Sequence, residues 1–105
     1  MKKIINGKIY NTETAIKLFE NGTGNTANFT DWYEEFYVTK KGAFFMKFWG
    51  GAMTRYSESF NNGRSRSEGR GIKVLTKEEV TKNLSNDSYN LDEVAINNYL
   101  EIEEA

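Results

Sequence analysis

The chain contains neither cysteine nor histidine. Without thiols there is no disulfide, no thiolate metal site and no cysteine nucleophile. Small secreted domains often carry disulfide staples, so a reducing interior is expected. Without imidazole, zinc sites of ordinary composition, a histidine general base and a histidine pH switch are excluded. Any catalysis would have to come from carboxylate, lysine, tyrosine or hydroxyl groups. No apolar run approaches the roughly 20 residues a membrane span needs, and the start MKKIINGK lacks the apolar stretch of a signal peptide. The expectation is a cytoplasmic protein that uses no metal and no cofactor.

A length of 105 residues fits a single domain, 1–105, with a modest core. Hydrophobic residues make up 38% of the chain and aromatics 14%, so the core must lean on rings, each burying roughly 150–250 Å². The net charge of −1 conceals a partition. Across 39–77 nine Lys or Arg face two Glu, a local charge of +7; across 78–105 one Lys faces eight acids, a local charge of −7. These segments either satisfy each other within the fold or present faces of opposite sign to partners.

Asn6-Gly7 lies between two short β-prone runs and signals a tight opening hairpin, because both central residues of a type I′ turn need φ > 0. TETAIKLFENG (12–22) reads as a short helix, with Thr12 as cap, Ala15, Ile16 and Phe19 as the apolar stripe and Gly22 as the stop. A polar link rich in Gly, Asn and Thr follows over 21–30. Two strands, 32–39 and 43–49, are joined at Lys40-Lys41-Gly42 as a second hairpin. On the latter strand Phe44, Met46 and Phe48 alternate with Ala43, Phe45, Lys47 and Trp49, so both faces carry rings. Either the strand is covered on both sides as core, or the face with Phe45, Lys47 and Trp49 stays partly open as a contact platform.

Residues 50–71 hold five glycines and four arginines, Arg55, Arg64, Arg66 and Arg70. A mobile cationic loop is expected over 61–71, since little there offsets the entropy of ordering the backbone. A short strand, 72–75, leads to a helix opened by a capping box of Thr76 and Glu79. A weaker box of Asn90 and Glu93 opens a last helix with apolar positions Leu91, Val94, Ala95, Tyr99 and Ile102. The expected fold is α+β: an antiparallel sheet of about four or five strands with about three peripheral helices.

Candidate chemistry is sparse. Lys41, Gly42, Phe45 and Phe48 match part of an RNA-recognition signature, but the order of Ala43 and Phe44 is swapped and no final strand is evident. Aromatics beside Arg64, Arg66, Arg70 and Lys73 would suit single-stranded nucleic acid through stacking and phosphate neutralisation. Asp31, Glu34 and Glu35 are the acids nearest the aromatic hairpin, yet Glu34 and Glu35 point to opposite sides of a regular strand and would not cooperate. The glycines fit neither a phosphate loop nor a dinucleotide fingerprint. A non-enzymatic role is expected.

The segments INGKIYNTETA, YVTKKGAFF, GGAMTRY and VLTKEE, in this order, resemble a family of small proteins encoded in phages and integrative elements of bacteria. Gly50, Gly51, Met53 and Tyr56 carry the most distinctive part of the match. The chain departs from that pattern in a longer arginine loop and an extended last helix. The resemblance implies a protein that, like anti-CRISPR proteins, occupies a surface of a host defence complex. The residues expected to meet that partner are Arg55, Arg64, Arg66, Arg70, Lys73, Phe45, Lys47, Trp49 and Tyr56. The alternative is a small nucleic-acid-binding accessory protein using the hairpin aromatics and the arginine loop.

Overall fold

The computed structural model describes residues 1–23 and 28–105. Asn6 and Gly7 take φ of 50° and 76°, as a type I′ turn demands, and join β1 (Lys2–Ile5) to β2 (Lys8–Asn11). Next come β3 (Ile16–Gly22), β4 (Trp32–Val38) and β5 (Phe44–Gly50). β4 turns into β5 where the Thr39 N–H donates to the Ala43 carbonyl at 2.8 Å. β6 (Glu58–Phe60) and β7 (Ser65–Ser67) form a short hairpin before β8 (Gly69–Leu75), and α1 (Lys77–Asn83) and α2 (Glu93–Leu100) follow. The architecture is α+β: a four-stranded antiparallel sheet in the order β3-β4-β5-β8 and two separate two-stranded hairpins, with two helices among the described residues.

Strand alternation divides the central sheet into two packed faces. Phe36, Val38, Met46 and Leu75 face the helices and join Leu18, Phe19, Val80, Ala95, Ile96 and Leu100 in the main core. Tyr37, Phe45 and Ile72 face the other way and are covered by Tyr10 of the opening hairpin. The Phe45 ring stacks on Tyr37 at 5.1 Å and meets Tyr10 edge-on at 5.5 Å. The dense aromatic run of β5 thus belongs to a central strand buried on both faces, although Phe44 and Phe48 themselves are only half-buried.

The first expected helix is instead strand β3. Its register slips between Lys17 and Phe19, so Leu18 is the extra residue of a β-bulge. The bulge lets the consecutive residues Leu18 and Phe19 both enter the main core. Ile16 and Phe19 are therefore three apart yet share a face, which imitates a helical stripe. Thr12 caps nothing; its N–H donates to the Met1 carbonyl at 3.0 Å and prolongs the opening hairpin. The polar link expected over 21–30 lies partly outside the described residues, and its first two residues belong to β3.

At α1 the capping box forms as anticipated. Thr76 Oγ1 accepts from the Glu79 N–H at 3.1 Å and the Glu79 carboxylate accepts from the Thr76 N–H at 2.9 Å. At α2 the cap is Asp92, whose Oδ1 accepts from the Ala95 N–H at 3.1 Å, because Asn90 is drawn away to donate to the Glu20 carboxylate. The buried stripe of α2 is Ala95, Ile96 and Leu100, leaving Val94 outside, and the helix ends at Leu100 where Glu101 turns left-handed. Residues 61–71, read as loop, contain β7 and the start of β8. Among the described residues a single ion pair, Lys77–Glu101 at 3.0 Å, links the cationic middle to the acidic tail. Among the described residues no helix is long and apolar enough to cross a membrane.

Candidate interaction surface

Two turns meet at one end of the central sheet, the turn entering β4 and the segment leaving β5. The Gly51 N–H donates to the Asp31 carbonyl and the Met53 N–H to the Phe29 carbonyl, both at 2.9 Å. Thr54 folds back on the second turn, its N–H and its hydroxyl donating to the Gly51 carbonyl at 3.0 and 2.9 Å. A Cβ at Gly51 would lie 2.6 Å from the Phe29 carbonyl oxygen and 2.8 Å from that of Asn28, so only glycine admits this backbone contact. Phe29 and Met53, whose main chains are joined here, carry exposed apolar side chains, at 71% and 73% exposure.

A polar cluster follows at Arg55 and Tyr56. Glu34 faces the helix side of β4 and is only 2% exposed. Its carboxylate accepts from both the Arg55 guanidinium and the Tyr56 hydroxyl. The guanidinium sits 5.4 Å from the Trp32 ring and 5.0 Å from the Tyr56 ring, a cation–π arrangement on two faces. Tyr56 in turn stacks on Phe48 at 4.5 Å. Burial, and then the bond to Glu34, push the Tyr56 hydroxyl up to about 12. Leaving Glu34 without its partners would strand a buried charge, which typically costs about 3–5 kcal/mol. The cluster therefore fixes Arg55 in place while most of its side chain stays in water.

A cleft of about 350 Å³ opens here between Thr30, Trp32, Met53, Thr54 and Arg55. On the far side of Phe29 a second cleft of about 300 Å³ is walled by Trp49, Arg66 and Glu68. Arg66 donates to the Ser57 hydroxyl at 2.8 Å. Neither Arg64 nor Arg66 has an acidic partner among the described residues. The sheet end thus combines a flexible thioether, an exposed ring and guanidinium groups, a composition enriched at the centres of protein contacts.

The residues expected to meet a partner do not stay together. Arg55, Tyr56 and Arg66 gather at this sheet end, and Arg64 lies exposed just before β7. Phe45 is fully buried and Trp49 only 7% exposed, so the anticipated open platform is closed at both rings. Tyr10 covers the first, while the Trp49 indole lies 6.2 Å from the Tyr33 ring and donates to Glu68 at 2.7 Å. Lys47 is half-buried, 3.7 Å from Glu35, and Arg70 pairs with Glu68 at 2.6 Å. Lys73 stands apart on the outer strand β8. Phe29 was not among the expected site residues; a lone ring between polar residues gives no periodic signal. Met53 was marked only by the GGAMTRY resemblance and not as a residue that meets a partner.

The carboxylates weighed for catalysis each have a structural partner. Glu34 and Glu35 do lie on opposite sheet faces; Glu35 accepts from the Tyr37 hydroxyl at 3.0 Å, and Asp31 accepts from the Asn28 N–H at 3.0 Å. Comparison of the chain with known protein families, with curated proteins and with solved structures finds no match.

Proposed function

We propose that the protein acts by binding, not by catalysis, and that its partner is a bacterial defence nuclease complex of the CRISPR type, met in the cytoplasm of the host cell. The observation that carries the binding role is Phe29 and Met53, two large apolar side chains left in water on two turns that main-chain hydrogen bonds tie together. The choice of partner follows the resemblance to small mobile-element proteins, which rests on Gly50, Gly51, Met53 and Tyr56, the residues that build this sheet end. Arg55 and Arg66 flank the pair and would meet acidic protein side chains or guide-RNA phosphates at the rim.

The test is a cleavage assay with purified, guide-loaded defence nucleases and the protein added in excess. The wild-type chain lowers cleavage by at least one nuclease type, and the double variant Phe29→Ala, Met53→Ala keeps its melting temperature but loses inhibition by tenfold or more. Inhibition that survives the double variant removes this surface from the mechanism, and absence of any inhibition or complex removes the partner. The second reading, nucleic-acid binding, is favoured by Arg64 and Arg66 alone, now without the buried hairpin rings. Tight binding of free RNA or DNA that weakens steeply with salt would establish it instead.

A further inference from the structure

The two edges of the central sheet are treated differently. The outer edge of β3 is closed: Glu20 and Tyr89 exchange main-chain hydrogen bonds at 2.9 Å in both directions, and the Asp92 N–H donates to the Leu18 carbonyl at 2.9 Å. The outer edge of β8 pairs with no strand among the described residues.

Which groups face outward follows from the ladder. Thr39 donates to the Ala43 carbonyl and Gly51 to the Asp31 carbonyl, so residues 43, 45, 47, 49 and 51 turn their backbone groups toward β4. Phe44, Met46, Phe48 and Gly50 therefore serve β8, where their partners are Leu75, Lys73, Gly71 and Gly69. That leaves the N–H and C=O groups of Arg70, Ile72 and Val74 directed away from the sheet. The edge is regular, paired to β5 without a register slip, and free of proline. It lacks most devices that blunt an edge, save for cations: residues 69–75 carry Arg70 and Lys73 and no acid.

We propose that β8 accepts an added strand from a partner protein, and that this strand is an extended acidic segment. Main-chain pairing at Arg70, Ile72 and Val74 would supply the hydrogen bonds, as in β-augmentation generally. Charge selects the occupant. Arg70 shares a face with Ile72 and Val74 and is bridged to Glu68 at 2.6 Å, while Lys73, in no ion pair among the described residues, lies on the helix face, so an acid opposite Lys73 meets a cation directly and one opposite Arg70 shares its guanidinium with Glu68. A second copy of this chain would instead bring two more cations to the seam. The inference is independent of the Phe29–Met53 surface.

The register specifies a probe. An antiparallel peptide, acetyl-Thr-Val-Glu-Val-Thr-Glu-amide, sets valines opposite Val74 and Ile72 and glutamates opposite Lys73 and Arg70. Titrated at low salt and followed by amide NMR, it is expected to shift the Arg70, Ile72 and Val74 N–H signals and slow their exchange with solvent. The same peptide with lysine for glutamate is expected to bind at least tenfold more weakly. Val74→Pro removes one outward N–H, spares the β5 ladder and alters an exposed side chain, so it should fold and weaken the acidic peptide by tenfold or more. No amide shift at millimolar peptide, equal binding of both peptides, or undiminished binding to folded Val74→Pro would overturn the proposal. So would sedimentation of the protein alone as a dimer that Val74→Pro dissociates, since a second copy would then occupy the edge.

Discussion

Replacing Phe45 by alanine tests whether the central strand is buried on the hairpin side as well as the helix side. Phe45 is fully buried and touches two rings from separate elements, Tyr37 on β4 and Tyr10 on β2. Truncating a ring in such a site removes its transfer energy and leaves a cavity, together costing about 3–5 kcal/mol. A domain of this length has a total stability of roughly 5–15 kcal/mol, so the variant should still fold at room temperature if the parent sits above the lower bound. At about 4–8 °C per kcal/mol, the thermal midpoint should fall by roughly 12 °C or more. Denaturant unfolding gives the free energy directly, and an unchanged slope would confirm that the midpoint shift reports stability. Phe44→Ala provides the internal comparison; its ring is half-buried and should cost about half as much. A loss below about 1 kcal/mol at Phe45 would mean that the opening hairpin does not cover this face, and the two-faced sheet would be wrong.

Two further outcomes follow from the sheet end and its buried hydroxyls. Gly51→Ala forces a Cβ against two carbonyl oxygens and should break the Met53–Phe29 and Gly51–Asp31 hydrogen bonds, at a cost of roughly 2–5 kcal/mol from overpacking and lost bonds. A variant as stable as the parent by denaturant unfolding would show that the turns are not locked together. At alkaline pH, Tyr56 and Tyr37 are both held above the ordinary tyrosine value near 10, the first up to about 12, each by burial and then by a neighbouring glutamate. A raised folded value favours the neutral phenol in the fold. Its stabilisation is therefore complete below about pH 10 and drains away as pH climbs through 12. The unfolding midpoint should hold to about pH 9.5 and then decline, with a shallower decline in Tyr56→Phe; identical slopes would refute the assignment.

What sequence reasoning could read were the features decided by a few neighbouring residues. Asn6-Gly7 dictates its turn because positive φ at two successive positions suits those residues, and Thr76 with Glu79 dictates a helix start because both caps lie within one turn. The Thr39–Ala43 hairpin and the alternation along 43–49 belong to the same class. β3 escaped because a bulge at Leu18 moves the phase of the strand, and pairing with β4 outweighs a weak local preference for helix. The cap of α2 moved to Asp92 for a similar reason: Asn90 is held by Glu20, far away in sequence.

Residue identity and local backbone geometry suffice for the chemistry available, no imidazole and no thiol, and for the hairpin turns and the first helix cap. Packing between distant segments covers Phe45 and Trp49 and leaves Phe29 and Met53 in water, and it seals the β3 edge while the β8 edge pairs with no strand among the described residues. Exposure and edge pairing are set by contacts between segments distant in the chain, and the pattern of any one segment carries no record of them.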